Sequence, residues 1–286
     1  MGKRILIRQM MDTDIPSAME IKNVEGWNQV EADWKLMMKT SPEFCLVAEV
    51  GADVIGTITA INYGNKIAWI GMMLVRKEYR GLGISKRLMK TVLEKLKGVE
   101  TVKLDATPTG LKVYEKIGFS SESAISRMIL KTKNVFTADR DGIAVQGISL
   151  EDHDNIVAYD AKVFGANREH LINMILSSNP GLGIICKMGN QVDGFALARQ
   201  GTFYHHIGPV YANDEITAQA IISTCIETIK DRPIIMDVVD TKKSFIQWLK
   251  STGFEKARPL IRMSYNTKNP HGMDKAEFCI CGPEYG

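Results

Sequence analysis

The chain has 286 residues, a formal net charge of +3, 45% apolar residues and 24% charged residues. That length suits two domains or one large one, with room for sizeable cores, and the balance is that of an ordinary globular protein. So weak a net charge gives no argument for nucleic acid as a partner, and no stretch reaches the roughly 18 consecutive apolar residues of a membrane span.

The opening Met1-Gly2-Lys3-Arg4-Ile5 runs straight into a strand pattern with no signal-peptide pattern behind it. Five cysteines, at 45, 186, 225, 279 and 281, are odd in number and lack framework spacing, which points to a reduced, cytoplasmic protein. Cys279 and Cys281 alternate as in a strand and have no second ligand pair, so no metal site is expected.

Arg4 to Gln9 alternates as a first strand, and Asp12-x-Asp14 caps a helix through Ile15, Met19 and Ile21. Gly26-Trp27-Asn28 breaks it before a second helix, Val30 to Lys39, which Ser41-Pro42 ends. Phe44 to Val50 and Val54 to Asn62 read as a hairpin about Gly51-Ala52-Asp53. Ile67 to Val75 is an apolar strand, Arg76 to Gly83 a basic glycine-rich turn, and Ile84 to Leu96 an amphipathic helix. Thr101 to Ala106 is another strand. Thr107-Pro108-Thr109-Gly110 then turns into a short helix, Leu111 to Ile117, stopped by Gly118, and Phe119 to Lys131 closes the unit. Strands and helices interleaved in this way predict an α/β fold, a mixed twisted sheet with helices on both faces. Residues 133–142 are mostly polar, without apolar rhythm, and read as a linker between a first domain, 1–132, and a second, 143–286.

The chemistry concentrates in the turn before the helix at Ile84. A loop at a helix N-terminus offers unpaired N–H groups and the positive end of the helix dipole, which makes an anion site. Gly81 and Gly83 let backbone approach the anion closely, and Lys77, Arg80 and Lys86 add positive charge. The loop is neither a Walker A sequence nor a dinucleotide fingerprint, whose third glycine would fall on Lys86. Arg80-x-x-Gly83-x-Ser85 resembles the Gln/Arg-x-x-Gly-x-Gly/Ala loop of the GNAT superfamily of N-acetyltransferases, with Ser85 in place of the usual Gly or Ala. Tyr114 with Gly118-Phe119 resembles the same family's Tyr-x-x-x-Gly-Phe signature.

This resemblance implies acetyl-CoA as co-substrate, its pyrophosphate held by Arg80, Gly81, Leu82, Gly83, Ile84, Ser85 and Lys86. It implies a splayed strand at Met73, Leu74 and Val75 beside the pantetheine arm, and Tyr114 as the acid that protonates the leaving thiolate. Backbone N–H groups near Leu74 and Val75 are the candidates for polarising the thioester carbonyl.

The second half repeats the first. Asp152-x-Asp154 lines up with Asp12-x-Asp14, His206-Ile207-Gly208 with Trp69-Ile70-Gly71, and Gly253-Phe254 then Arg262-Met263 with Gly118-Phe119 then Arg127-Met128. At that offset Arg80, Gly81 and Gly83 fall on Thr217, Ala218 and Ala220, and Asn213-Asp214-Glu215 is acidic. The second copy is therefore expected to be a degenerate GNAT-like domain that shapes the acceptor pocket. Phe164-Gly165-x-x-Arg168, the run Ile207 to Ala212 and Gly282-Pro283-Glu284 resemble the two-domain bacterial members of the family.

The expected activity is acetyl transfer to a primary amine, most simply of a small molecule. Transfer to a protein amine and a non-catalytic module that senses acetyl-CoA or a metabolite remain alternatives. The general base stays open among Glu25, Asp105, Asp160, His205, His206 and a held water.

Overall fold

A computed structural model describes residues 4–132, 142–230, 233–265 and 275–286. The linker read at 133–142 lies, but for Gly142, outside the described residues. The first half runs β1 (Ile5–Gln9), α1 (Ile15–Val24), α2 (Glu31–Thr40), β2 (Leu46–Val50), β3 (Asp53–Tyr63), β4 (Ile67–Val75), α3 (Ile84–Lys95), β5 (Thr101–Ala106), α4 (Pro108–Glu115) and β6 (Ser120–Leu130). The second runs β7 (Val145–Gly147), α5 (His153–Phe164), α6 (Glu169–Ser178), β8 (Ile184–Met188), β9 (Gln191–Gln200), β10 (His205–Ala212), α7 (Glu215–Thr228), β11 (Ile234–Val239), α8 (Lys243–Ser251), β12 (Glu255–Tyr265) and β13 (Glu277–Cys279).

The helix at α4 starts earlier than its sequence suggested. Thr107 is its N-cap, the side-chain hydroxyl accepting from Gly110 N, and Pro108 sits in the first turn where it has no N–H to waste.

All strands join one sheet in the order β1-β2-β3-β4-β5-β12-β6-β11-β13-β10-β9-β8-β7. The centre of that order is an exchange. β12, from the second half, pairs with β5 from Ile261↔Ala106 to Tyr265↔Val102. β6, from the first half, pairs with β11 from Ile234↔Leu130 to Val239↔Ile125. The two exchanged strands then pair with each other. The spatial units therefore do not follow the chain order 1–132 and 143–286: each repeat donates its sixth strand to the other.

Packing locks the exchange. Met263 of β12 is buried in the first-half core with Ile84, Leu88, Met89 and Val92 of α3. Met128 and Leu130 of β6 are buried in the second-half core with Ile221, Ile222 and Cys225 of α7. On the other sheet face one continuous core joins α1 and α2 to α5 and α6, around the fully buried Trp34, Trp69, Phe195 and Tyr211. The strand partners are also tied by charge. Arg127 on β6 donates through Nε and Nη2 to Asp237 of β11, both at 2.7 Å, and Arg262 on β12 donates to Asp105 of β5 at 3.1 Å. Breaking such a buried pair leaves a charge uncompensated, at a cost of about 3–5 kcal/mol.

Two outcomes are expected on denaturant unfolding. The two halves lose structure in one transition, because neither half's part of the sheet is complete without the other's strand. Asp237→Ala loses about 3–5 kcal/mol, while two separated transitions in the wild type would contradict the exchange.

Candidate active site

β4 and β5 pair in parallel only from Ile67↔Thr101 to Ile70↔Leu104. Beyond that point the strands diverge, helped by a bulge in β4: Met72 has φ +49°, and its carbonyl accepts a 2.7 Å bond from Thr57 Oγ1. A cavity of about 80 Å³ opens in the split. Its first-half walls are Ile70, Gly71, Met72 and Met73 on one side, Leu104, Asp105 and Thr107 on the other, with Tyr114 below and Trp27 and Gln29 from the α1–α2 connection.

The glycine-rich loop leads from this split to α3. Gly81 (φ +81°) and Gly83 (φ +73°) both adopt left-handed conformations that a side chain would strain. Gly83 is the N-cap, and the N–H groups of Ile84, Ser85 and Lys86 in the first turn find no acceptor among the described residues. Leu82 and Lys86 point outward, Leu82 being 61% exposed. Arg80 folds back: Nε donates to Val75 O at 3.1 Å, and Nη2 meets Glu25 Oε1 at 2.6 Å. Its guanidinium thus pins the loop to β4 and to the end of α1. Of Met73, Leu74 and Val75, Met73 lines the cavity, whereas Leu74 is buried in the core of the opposite face and pairs with Thr57.

Tyr114 projects from α4 into the cavity wall, with its ring against Gly110 and 6.0 Å from Phe119. Burial pushes its phenol up to about 12, so the group is protonated at neutral pH.

The base candidates separate cleanly. Glu25 is occupied by Arg80. Asp160 is fully buried against Arg168, which also bonds Tyr211 and the carbonyl of Gly286. His206 is sealed between Arg199 and Asp237, and burial beside that guanidinium holds its pKa well below the ordinary value. His205 is buried at the start of β10, outside the cavity. Asp105 alone of the five lines the cavity, at the first position beyond the last β4–β5 pair. Its Oδ1 accepts from Arg262, and its buried Oδ2 has no hydrogen-bond partner. Burial raises its pKa to about 6, against the opposing pull of Arg262.

The remaining wall comes from β6 of the first half and from the second half. Arg127, Arg258, Leu260, Pro283 and Glu284 line the same cavity. Glu284 accepts from Arg199 at 2.6 Å and from Gln29 at 2.9 Å, while Trp69 Nε1 donates to Pro283 O and Tyr285 OH to Asp33. A Cβ on Gly71 would stand 2.8 Å from Glu284 Cα, so only glycine admits the segment this close. Sequence reading left Arg127, Arg258 and Gln29 out of the site, because no local motif brings an exchanged strand or a distant tail to the split.

The equivalent split in the second half is filled. β10 and β11 pair from His205↔Ile234 to Ile207↔Met236, and β13 then enters between them, Val210↔Cys279 and Val238↔Cys279. Ile280 O presses on Gly208, where a Cβ would lie 2.1 Å away. Only Asn213 and Asp214 connect β10 to α7, so Thr217, Ala218 and Ala220 lie within that helix rather than in a loop. Asp214 caps the helix by accepting from Thr217 N at 2.7 Å, and Asp193 accepts from Thr217 Oγ1. Carboxylates occupy the place where an anion would dock.

Among the described residues no helix is long and apolar enough to cross a membrane, and no three His, Cys, Asp or Glu side chains gather as a metal site would require. Cys279 and Cys281 are buried, thiol pKa values raised by burial.

Comparison with known proteins agrees with this geometry. Two family models, each described as an acetyltransferase (GNAT) domain, match residues 16–128 and 156–278. The holothin acyltransferase of a Pseudoalteromonas species is 24% identical over 92% of this chain and 88% of its own. An uncharacterized N-acetyltransferase of Bacillus subtilis, YitH, is 26% identical over 86% of each. Among solved structures, a Pyrococcus horikoshii protein provisionally described as an acetyltransferase superposes with a TM-score of 0.82 at 21% identity, over 99% of this chain and 96% of that one. A tandem GNAT protein from the clavulanic acid biosynthesis pathway gives 0.61 at 11% identity, over 93% and 100%. The open split beside a helix N-terminus with unpaired N–H groups, its filled counterpart and both family matches lead to one conclusion: the chain belongs to the GNAT superfamily of acyltransferases and carries two of its domains in tandem.

Proposed function

We propose that the protein transfers an acetyl group from acetyl-CoA to a primary amine of a small molecule, using the β4–β5 split alone. The observation that carries this reading is one cavity shared by an open strand edge, a protonated tyrosine and an unpartnered carboxylate oxygen. The N–H groups of Ile84, Ser85 and Lys86 fit a pyrophosphate, with Gly81 and Gly83 keeping the approach clear and Leu82 and Lys86 at the rim. Arg80 acts here by fixing the loop. Acetyl-CoA supplies an activated thioester. The unpaired edge of β4 about Met72 and Met73 offers backbone dipoles to its carbonyl.

Asp105 Oδ2 takes a proton from the acceptor's ammonium, directly or through a water, which frees the neutral amine to attack the thioester, while Arg262 holds Oδ1 and so fixes the carboxylate. The Tyr114 hydroxyl gives its proton to the departing thiolate. The second half encloses the acceptor: Glu284, Pro283 and Leu260 close the cavity from a direction the first half leaves open. A small cavity walled by both halves favours a small acceptor over a protein side chain. The paired proton donor and acceptor favour transfer over sensing.

CoA release with a panel of small amines tests the reading. Asp105→Asn and Tyr114→Phe are each expected to lower kcat by about 100-fold, with folding checked by circular dichroism. Because the base works only when ionised, kcat/KM rises with pH through about 6, where Asp105 loses its proton. A profile flat from pH 5 to 8, or a fully active Asp105→Asn variant, would remove Asp105 from the mechanism.

A further inference from the structure

Resting on the acetyltransferase reading, we infer that the acceptor amine also carries a carboxylate, as amino acids do, and that Arg258 binds it. Arg258 lies where β12 bulges. The register passes from Lys256↔Met128 to Pro259↔Ser126, so Ala257 and Arg258 together face Arg127. A bulge of this kind redirects a side chain, and here it turns Arg258 towards the cavity, which it lines beside Arg127.

Two guanidinium groups on one cavity wall need anions. Asp237 lies behind that wall on β11, and both of its oxygens are committed to Arg127. Of the other nearby carboxylates, Glu284 is engaged with Arg199 and Glu25 with Arg80, while Asp105 binds Arg262 through Oδ1 and leaves Oδ2 for the acceptor's ammonium. Arg258 makes no hydrogen bond or ion pair with a described residue. Burial and the neighbouring Arg127 both weaken its hold on its proton, against smaller opposing pulls from Asp237 and Glu25. Its planar fork of N–H donors suits a carboxylate, which can accept two of them at once. The arrangement gives the acceptor opposite poles in one small cavity: Asp105 receives the ammonium, and Arg258 the carboxylate. Trp27 and Leu260 supply apolar wall alongside these poles.

The test compares free α-amino acids with their carboxamides as acceptors, in the full chain with acetyl-CoA, reading CoA release. The acids are expected to exceed the amides in kcat/KM by on the order of tenfold or more, through KM. Arg258→Gln is expected to collapse that preference to about twofold, with Arg258→Lys recovering part of it. Calorimetric binding of the preferred free acid is expected to weaken in Arg258→Gln by a similar factor, a readout independent of turnover. Amides accepted as well as acids, or a preference unchanged in Arg258→Gln, would overturn the proposal while leaving acetyl transfer standing. Acetyl-CoA that fails to bind, or no CoA release with either set, would overturn the acetyltransferase reading and this inference with it.

Discussion

Two buried guanidinium–carboxylate pairs, Arg127–Asp237 and Arg262–Asp105, sit at the middle of the sheet, and the rest of the molecule is arranged about them. They occupy equivalent places in the two repeats, each joining one half's exchanged sixth strand to the other half's fifth. Charges at this depth are costly unless paired, so the strands are held in register as well as in place. The exchange also moves chemistry across the boundary. Arg262 orients the Asp105 carboxylate from the opposite half, and Arg127 and Arg258 reach the first-half split on strands that the other repeat contributes or pairs with.

From the same architecture come two splits with opposite fates. In the first half, a glycine-rich loop leaves three N–H groups of α3 unpaired, and the diverging strands stay apart. In the second, that loop is missing, Asp214 caps α7, and β13 completes the ladder. The segment that seals the second split then continues across to the first, where Pro283 and Glu284 form its wall. One tail closes one site and finishes the other. This gives the degenerate repeat a physical role, since without it the first split would open to solvent on the side of Glu284.

Sequence reading went furthest where the signal is local. The strand, glycine loop and helix from Ile67 to Leu96 fall within a residue or two of their observed bounds, because apolar period and glycine punctuation are short-range properties. The tandem repeat was legible in recurring pairs such as Trp69-Ile70-Gly71 and His206-Ile207-Gly208. The exchange was not. β6 and β12 have similar patterns and interchangeable partners, so nothing in either strand says which fifth strand it will join. Loop deletion was also hidden, and a constant offset placed Thr217 in a loop when it belongs to α7. The pairing of Arg80 with Glu25, distant in sequence, was likewise not legible from the loop alone.

The central claim is that one split per chain takes the co-substrate while the other is closed by the chain itself. Calorimetric titration of acetyl-CoA into the wild type and into a Ser85→Glu variant measures this most directly, since the substitution sets a carboxylate in the first turn of α3 without straining a glycine. One site per chain is expected in the wild type and none in the variant. Two sites per chain, or a single site that survives Ser85→Glu, would contradict the assignment of α3 and the closure of the second split.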